Sequence, residues 1–220
     1  MTLLEQLSEH LQTGDAKRVA ELTQQAIGER IAPKDILDHG LIAGMSVVGE
    51  RFRDHEIFLP EVLLAAKAMY SGLDLLKPLM IKENIQTLGK VVIGTIQGDL
   101  HDIGKNLVAI MLKGAGFEVI DLGNDVSPEK FISTALQERA DVIGMSALLT
   151  TTMPGMKAVV DLAKERNLYG HVKIIVGGAS LSSEYAKEIG ADAYCFDGMN
   201  AVETVKRFVI RHPEEHDSRT

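Results

Sequence analysis

Asp99 and His101 stand two residues apart in a glycine-flanked segment, Gly98-Asp99-Leu100-His101-Asp102-Ile103-Gly104. In a loop, that spacing lets the carboxylate accept a hydrogen bond from one ring nitrogen while the other nitrogen points away. An imidazole held in this way has a fixed tautomer and a more basic free nitrogen, as a metal-bound histidine does. A plainer account fits the same residues: Asp99 or Asp102 caps the helix that begins near Gly104, and His101 is solvated. The segment is not a phosphate cradle, because it has neither Gly-x-Gly-x-x-Gly nor Gly-Lys-Ser. Two further segments carry unusual groups. Ser146-Ala147-Leu148-Leu149-Thr150-Thr151-Thr152 sets hydroxyls beside two leucines, and Gly177-Gly178-Ala179-Ser180 offers bare backbone. Thr152 is also a candidate cap for a helix whose first residues include Pro154, and the glycine pair reads equally as a tight turn.

The elements that must position these groups follow from hydrophobic period. After Gly89, short apolar runs alternate with helical stretches. The runs are 91–93, 117–120, 141–145, 172–176 and 192–196; the helical stretches fall near 104–113, 128–139, 154–166, 182–189 and 201–210. Strands that are apolar throughout imply a parallel sheet covered on both faces. The fold class is therefore α/β, a five-stranded parallel flavodoxin-like (Rossmann-type) sheet in the order 2-1-3-4-5. In such a sheet, ligands bind beyond the carboxyl ends of the strands, where the strand order reverses. The three unusual segments leave those ends, so they share one side of the sheet.

Before this region, from Leu3 to about Ile85, apolar residues recur every three or four positions, as in Leu3, Leu4, Leu7 and Leu11. That is helical spacing with one buried face. Breaks at Thr13-Gly14-Asp15, Ala32-Pro33 and Leu59-Pro60 divide it into about four helices, with Asp15 a cap and Pro33 at a helix start. The third, Asp35 to Phe52, carries Gly40, Gly44 and Gly49, which let something approach closely. The expected domains are a four-helix bundle over 1–88, the sheet domain over 89–213 and a flexible polar tail over 214–220, with 82–89 as linker.

Composition narrows the functions. A net charge of -8 lacks the phosphate attraction of nucleic-acid binders. No stretch approaches the roughly 20 apolar residues of a membrane span, and the first ten residues do not resemble a signal peptide. Cytoplasmic residence is the expectation. The single cysteine, Cys195, cannot make an internal disulfide or a thiolate zinc cluster.

Taken together, Gly98-Asp99-Leu100-His101-Asp102-Ile103-Gly104 resembles the Asp-x-His-x-x-Gly signature of B12-binding domains. Ser146-Ala147-Leu148 and Gly177-Gly178 resemble the Ser-x-Leu and Gly-Gly elements of that signature. The preceding bundle is similar to the helical cap domain of methionine synthase and of corrinoid proteins in methyltransferase systems, through Val48-Gly49-Glu50-Arg51-Phe52 and Phe58-Leu59-Pro60-Glu61-Val62. The resemblance covers the chain except its polar tail. It implies a cobalamin or related corrinoid, with His101 displacing the cofactor's own base to bind cobalt, Asp99 holding the imidazole, and Thr152 completing a relay. Methionine synthase has a serine at the position of Thr152. It further implies that residues 98–104, Ser146, Leu148, Thr150, Gly177, Gly178 and Gly198 contact the cofactor, Gly98 to Asp102 with Ser146, Thr150 and the glycine pair lining a channel for the displaced nucleotide tail. Phe52 and Leu59 would shield the methyl-bearing face, and the linker would act as hinge for a moving cap.

The function so implied is a methyl carrier shuttling between cob(I)alamin and methylcob(III)alamin. A substrate-specific methyltransferase would load it, a second methyltransferase acting on tetrahydrofolate or a thiol would unload it, and a reductive activator protein would restore the reduced cobalt. No part of the chain has room for a barrel that activates a methyl donor. The alternative is a B12-dependent sensor or regulator, which would need a DNA-binding or signalling module that the acidic bundle does not offer. A receiver domain would need an acidic residue at the end of strand three, where Met145 and Ser146 stand.

Overall fold

The computed structural model describes residues 1–210. These fall into two compact units, 1–87 with 113–116, and 88–112 with 117 onward. The expected polar tail lies outside the described residues.

In the first unit the helices are α1 (Leu3–Gln12), α2 (Ala16–Gly28), α3 (Pro33–Asp35), a π-helical segment (Ile36–Ile42), α4 (Ala43–Arg53) and α5 (Leu59–Lys82). Their ends are written in the sequence. The Thr2 hydroxyl accepts from the Glu5 N–H and the Glu5 carboxylate accepts from the Thr2 N–H, closing α1. Asp15 caps α2 through the Arg18 N–H, and Pro33 sits at the first position of α3. From Pro33 to Arg53 the chain is one continuous helical run, interrupted only in hydrogen-bond pattern by the π segment. The glycines of this run admit α1. A Cβ at Gly40 would lie 2.5 Å from Leu7 Cδ2, and one at Gly44 would lie 2.9 Å from the Ser8 carbonyl. The buried side of this unit is apolar, with Leu7, Leu11, Val19, Leu22, Leu41 and Leu76 fully enclosed. Each such leucine contributes about 2 kcal/mol relative to exposure.

In the second unit β1 (Lys90–Thr95), β2 (Glu118–Asp121), β3 (Val142–Ser146), β4 (Lys173–Gly177) and β5 (Ala193–Cys195) pair in parallel in the order β2-β1-β3-β4-β5. The crossover helices are α6 (Ile103–Gly114), α7 (Pro128–Glu138), α8 (Pro154–Glu165), α9 (Ser183–Ile189) and α10 (Gly198–Val209). Register pairs Thr95 of β1 with Ser146 of β3, and Ser146 with Gly177 of β4, so the three strands end level. The central strands are buried, and Phe131, Met156, Val159, Val160 and Ile143 form the core beside them. Most boundaries differ from the sequence reading by a residue or two, and β1 runs on to Thr95 rather than ending at Ile93. β5 is three residues long, and α10 begins at Gly198 rather than Ala201, because the Asp197 carboxylate accepts the Asn200 N–H and starts the helix early.

Candidate functional site

Three loops leave the level ends of β1, β3 and β4, and one carboxylate joins the first two. Asp99 is fully buried. Its Oδ1 lies 2.7 Å from His101 Nδ1 and accepts the His101 backbone N–H at 3.0 Å. Its Oδ2 accepts the backbone N–H groups of Leu148 at 2.8 Å and Leu149 at 3.1 Å, and lies 3.1 Å from the Thr152 hydroxyl. Burial alone would raise this carboxyl. The hydrogen bonds from the His101 and Leu148 backbones, the His101 ring and the Leu149 backbone outweigh burial and hold it well below the usual carboxylate range. Asp99 is therefore an acceptor only, so a proton sits on His101 Nδ1, and the neutral ring has its lone pair on Nε2.

The His101 side chain is 53% exposed even though its partner is enclosed. Its backbone is held as well, since the carbonyl accepts from Thr95 Oγ1 at 3.2 Å. Around it stand Leu100 at 69% exposure and Ile103 at 71%, with Leu148 and Leu149 also exposed on the loop after β3. A buried anion thus holds an exposed ring nitrogen among uncovered apolar side chains.

Thr152 does not cap α8, contrary to the sequence reading. The capping position is Met153, in helical conformation and without a side-chain hydrogen bond. The Thr152 hydroxyl is turned the other way, 2.9 Å from the Leu149 carbonyl and 3.1 Å from Asp99 Oδ2. It has one proton and two acceptors, so it serves one at a time. Nor does the Asp99 side chain cap α6, because its oxygens are taken up by His101 and the loop after β3.

The glycines divide by cause. Gly178 has φ +141, and a Cβ there would fall 1.9 Å from the Ala147 carbonyl, so the loops after β3 and β4 pack backbone to backbone. A Cβ at Gly177 would lie 3.0 Å from the Cys195 carbonyl, and one at Gly198 only 2.3 Å from Met111 Sδ. Gly98 has φ +84, a left-handed conformation that suits glycine. Gly104, in contrast, would meet nothing within 4 Å. Of the other candidates, Ser146 is half-buried at the end of β3, Thr150 is exposed, and the Asp102 carbonyl accepts the Asn106 N–H at 2.8 Å in the first turn of α6. Phe52, on α4, and Leu59, the first residue of α5, are both half-buried in the helical unit.

Sequence reasoning missed four contributors. Leu149 donates to Asp99 through its backbone, Ser180 Oγ donates to the Leu148 carbonyl at 2.5 Å, and Asn124 and Asp125 reach the His101 loop from the turn after β2. Backbone donors leave no trace in residue type. For Asn124 and Asp125 the signal was turn composition alone.

Among the described residues no group of three or more His, Cys, Asp or Glu could enclose a metal ion. A metal at His101 must therefore bring its other ligands with it, as a cobalt in a corrin ring does. The outward Nε2, the exposed leucines and isoleucine beside it, and the open space over Gly104 fit a flat, largely apolar macrocycle whose metal His101 would hold.

Comparison with known proteins agrees with this geometry. Residues 89–206 match one model described as a B12 binding domain, and residues 3–77 match a second model of the same description. A corrinoid protein of Desulfitobacterium hafniense (strain Y51) is 42% identical over 212 residues, 95% of this chain and 98% of that one. A dimethylamine corrinoid protein of Methanosarcina barkeri is 43% identical over 208 residues, 94% and 97% respectively. The methanol:cobalamin methyltransferase complex of Methanosarcina barkeri contains a chain that superposes with a TM-score of 0.84 at 30% identity, covering 94% of this chain and 79% of that one. Sheet order, the braced exposed imidazole and these matches lead to one conclusion: the chain belongs to the B12-binding domain family and binds a corrinoid.

Proposed function

We propose that this protein carries a methyl group on a corrinoid whose cobalt is held by His101 Nε2, between a substrate-specific methyltransferase and a second methyltransferase that acts on an acceptor such as tetrahydrofolate or a thiol. The observation that carries the reading is the buried Asp99 carboxylate, hydrogen-bonded to His101 Nδ1 on one oxygen and within reach of the Thr152 hydroxyl on the other. When bound, the cobalt supplies the centre that takes up and releases the methyl group.

The chain's own residues govern how that centre is held. Asp99 keeps the imidazole in one tautomer and one direction and raises the basicity of Nε2. The Thr152 hydroxyl can donate to Asp99 Oδ2 or to the Leu149 carbonyl, and this choice would adjust the negative charge that the His101 ring faces while its Nε2 holds the metal. Leu100, Ile103, Leu148 and Leu149 provide exposed apolar surface that a bound macrocycle would cover, and water would then be excluded from the ring's surroundings. Gly98 to Gly104, Ser146, Leu148, Thr150, Gly177, Gly178 and Gly198 are the cofactor's contacts in this reading. Phe52 and Leu59 retain the shielding role that their motif implies, and the divisions at 88/89 and 213/214 remain the proposed domain limits.

The donor is chosen elsewhere. Beyond the groups assigned to the corrinoid, the site presents no cluster that would polarise a C–O or C–N bond, so that barrier must be lowered on a partner. The relatives' names mention dimethylamine and methanol, which supports a partner methyltransferase of that kind; a reductive activator protein that restores the reduced cobalt belongs to the same proposal. The test is to mix reduced holoprotein with methanol, methylamines, betaine or methoxybenzoate, first alone and then with candidate methyltransferases. Almost no methylation alone, and saturable methylation with the cognate partner, is the expected result. Rapid, donor-specific methylation by this chain alone would overturn the assignment.

A further inference from the structure

The turn between β2 and α7 is tied to the His101 loop at more points than its own folding requires. Its outer end is fixed by an ion pair: Lys105, in the first turn of α6, has a side chain only 1% exposed and reaches Asp121 at 2.5 Å. Asp121 Oδ1 in turn accepts the Gly123 N–H at 2.9 Å. The Thr95 N–H donates to the Gly123 carbonyl and the Val126 N–H to the Thr95 carbonyl, extending the sheet pattern past the end of β1.

Between these fixed points lies Asp125, with φ +54, in the left-handed region. Asp and Asn enter that region at lower cost than most residues. The conformation turns both of Asp125's hydrogen-bonding groups onto the site. Its Oδ1 accepts the Gly98 N–H at 2.8 Å, and its own N–H donates to the Asp99 carbonyl at 3.2 Å. Asn124 Nδ2 adds a longer contact of 3.5 Å to the Leu100 carbonyl. Asp125 therefore grips the two ends of the Gly98–Asp99 pair, one at its N–H and the other at its carbonyl. Gly98 itself is left-handed and, having no Cβ, resists rotation only weakly. The Asp99 N–H donates to the Ile96 carbonyl at 3.1 Å and its carboxylate is held by His101 and the loop after β3, so Asp125 completes the hold on this stretch at the two groups left over, the Gly98 N–H and the Asp99 carbonyl.

We infer that Asp125 is a positioning residue for cobalt ligation: by holding Gly98 and Asp99 from outside the loop, it sets the direction in which Asp99 aims the His101 imidazole. This rests on His101 being the cobalt's ligand. A small rotation at Asp99 moves Oδ1 relative to His101 Nδ1, and the ring pivots with it, so Nε2 is displaced from the axial direction. Asp125 touches neither the ring nor the proposed cobalt position, and acts only through Asp99.

Two substitutions separate its conformational role from its acceptor role. Asp125→Asn keeps an oxygen for the Gly98 N–H and tolerates the left-handed backbone. Asp125→Gly keeps the backbone conformation freely but removes the acceptor. In apo-protein, nitrogen-15 NMR of the His101 ring reports the tautomer and the hydrogen bond to Asp99 without any cobalt. In holoprotein, electron paramagnetic resonance of Co(II) reports whether histidine nitrogen is the axial ligand, and the Co(II)/Co(I) midpoint potential reports how strongly it binds. Asp125→Asn should match wild type in every measurement. Asp125→Gly should shift the His101 ring signals, lose part of the histidine-coordinated signal, raise the midpoint potential and bind corrinoid about tenfold more weakly, the lower end of what outer partners of a metal ligand contribute. If Asp125→Gly matches Asp125→Asn in ring signals and potential, Asp125 does not position the ligand. If the wild-type Co(II) spectrum shows benzimidazole nitrogen instead, the ligation reading itself fails and the inference falls with it, whatever the variants do.

Discussion

The helical unit and the sheet unit use polar groups in opposite ways. In the first, side-chain hydrogen bonds are mostly local caps and pairs three or four residues apart, such as Thr2 with Glu5, Arg18 with Glu21 and Phe58 with Glu61, while Ser71 Oγ to the Ala16 carbonyl is a rare long reach. In the second, the decisive bonds cross 49 to 53 positions, from Leu148, Leu149 and Thr152 to Asp99. Local bonds define where helices begin and end and leave their mutual packing to apolar contact. Long-range bonds to a buried carboxylate fix loops that have no repeating structure of their own. A ligand that must point at a metal within a fraction of an ångström needs the second kind of support.

The comparison breaks first at Asp99. Asp99→Ala leaves the N–H groups of His101, Leu148 and Leu149 without their acceptor inside the fold, and should lower apo-protein stability by about 4 kcal/mol in urea unfolding, at roughly 1 to 3 kcal/mol for each orphaned donor less what relaxation recovers. A loss below about 1 kcal/mol would show that the carboxylate does not organise these loops.

In the helical unit the corresponding weight should lie on apolar volume. Leu22 is fully buried on α2, which lies against α5, and Leu22→Ala should cost about 3 kcal/mol, whereas Ser71→Ala, removing that unit's long polar contact, should cost about 1 kcal/mol. Equal costs in paired unfolding curves would erase the contrast between the units.

His101→Ala sharpens the point, because the imidazole is exposed while its partner is buried. Stability should change by no more than about 0.5 kcal/mol, but corrinoid affinity, followed by spectral titration, should fall about 10- to 100-fold. A variant as unstable as Asp99→Ala would make the ring a structural member rather than a ligand.

The smallest effect concerns Cys195, whose thiol is pushed up to about 11 by burial. The fold favours the neutral thiol, so its contribution is intact below the unfolded thiol's value of about 8.5 and is lost as pH rises from there toward 11. Native protein at pH 8 should react with a thiol reagent far more slowly than urea-unfolded protein; equal rates would mean that the thiol is not enclosed.

Much of this was legible from residue order. Apolar runs of three to five separated by helical stretches predicted the parallel sheet and its order, and a spacing of two between Asp99 and His101 predicted a carboxylate within reach of the ring. Of the two roles the sequence offered Thr152, the cap satisfies the local rule for a hydroxyl two residues before Pro154 but is not formed, while the reach to Asp99, which no local rule weighs across 53 residues, is. The early start of α10 has the converse cause, a purely local one: the Asp197 carboxylate accepts the Asn200 N–H three residues on.

By itself, the sequence determined which segments are strands and helices, since hydrophobic period and end-capping act over a few residues. It also set one imidazole, His101, two residues after a carboxylate in a glycine-flanked segment, which is the local spacing their hydrogen bond needs. Tertiary structure alone decided how that imidazole is aimed. The Leu148 and Leu149 N–H groups, the Gly178 backbone against Ala147 and the grip of Asp125 on Gly98 and Asp99 arise only when β1, β3, β4 and the turn after β2 end side by side. Backbone donors are identical in every residue but proline, so their convergence on one carboxylate comes from register and strand order, which no side chain announces.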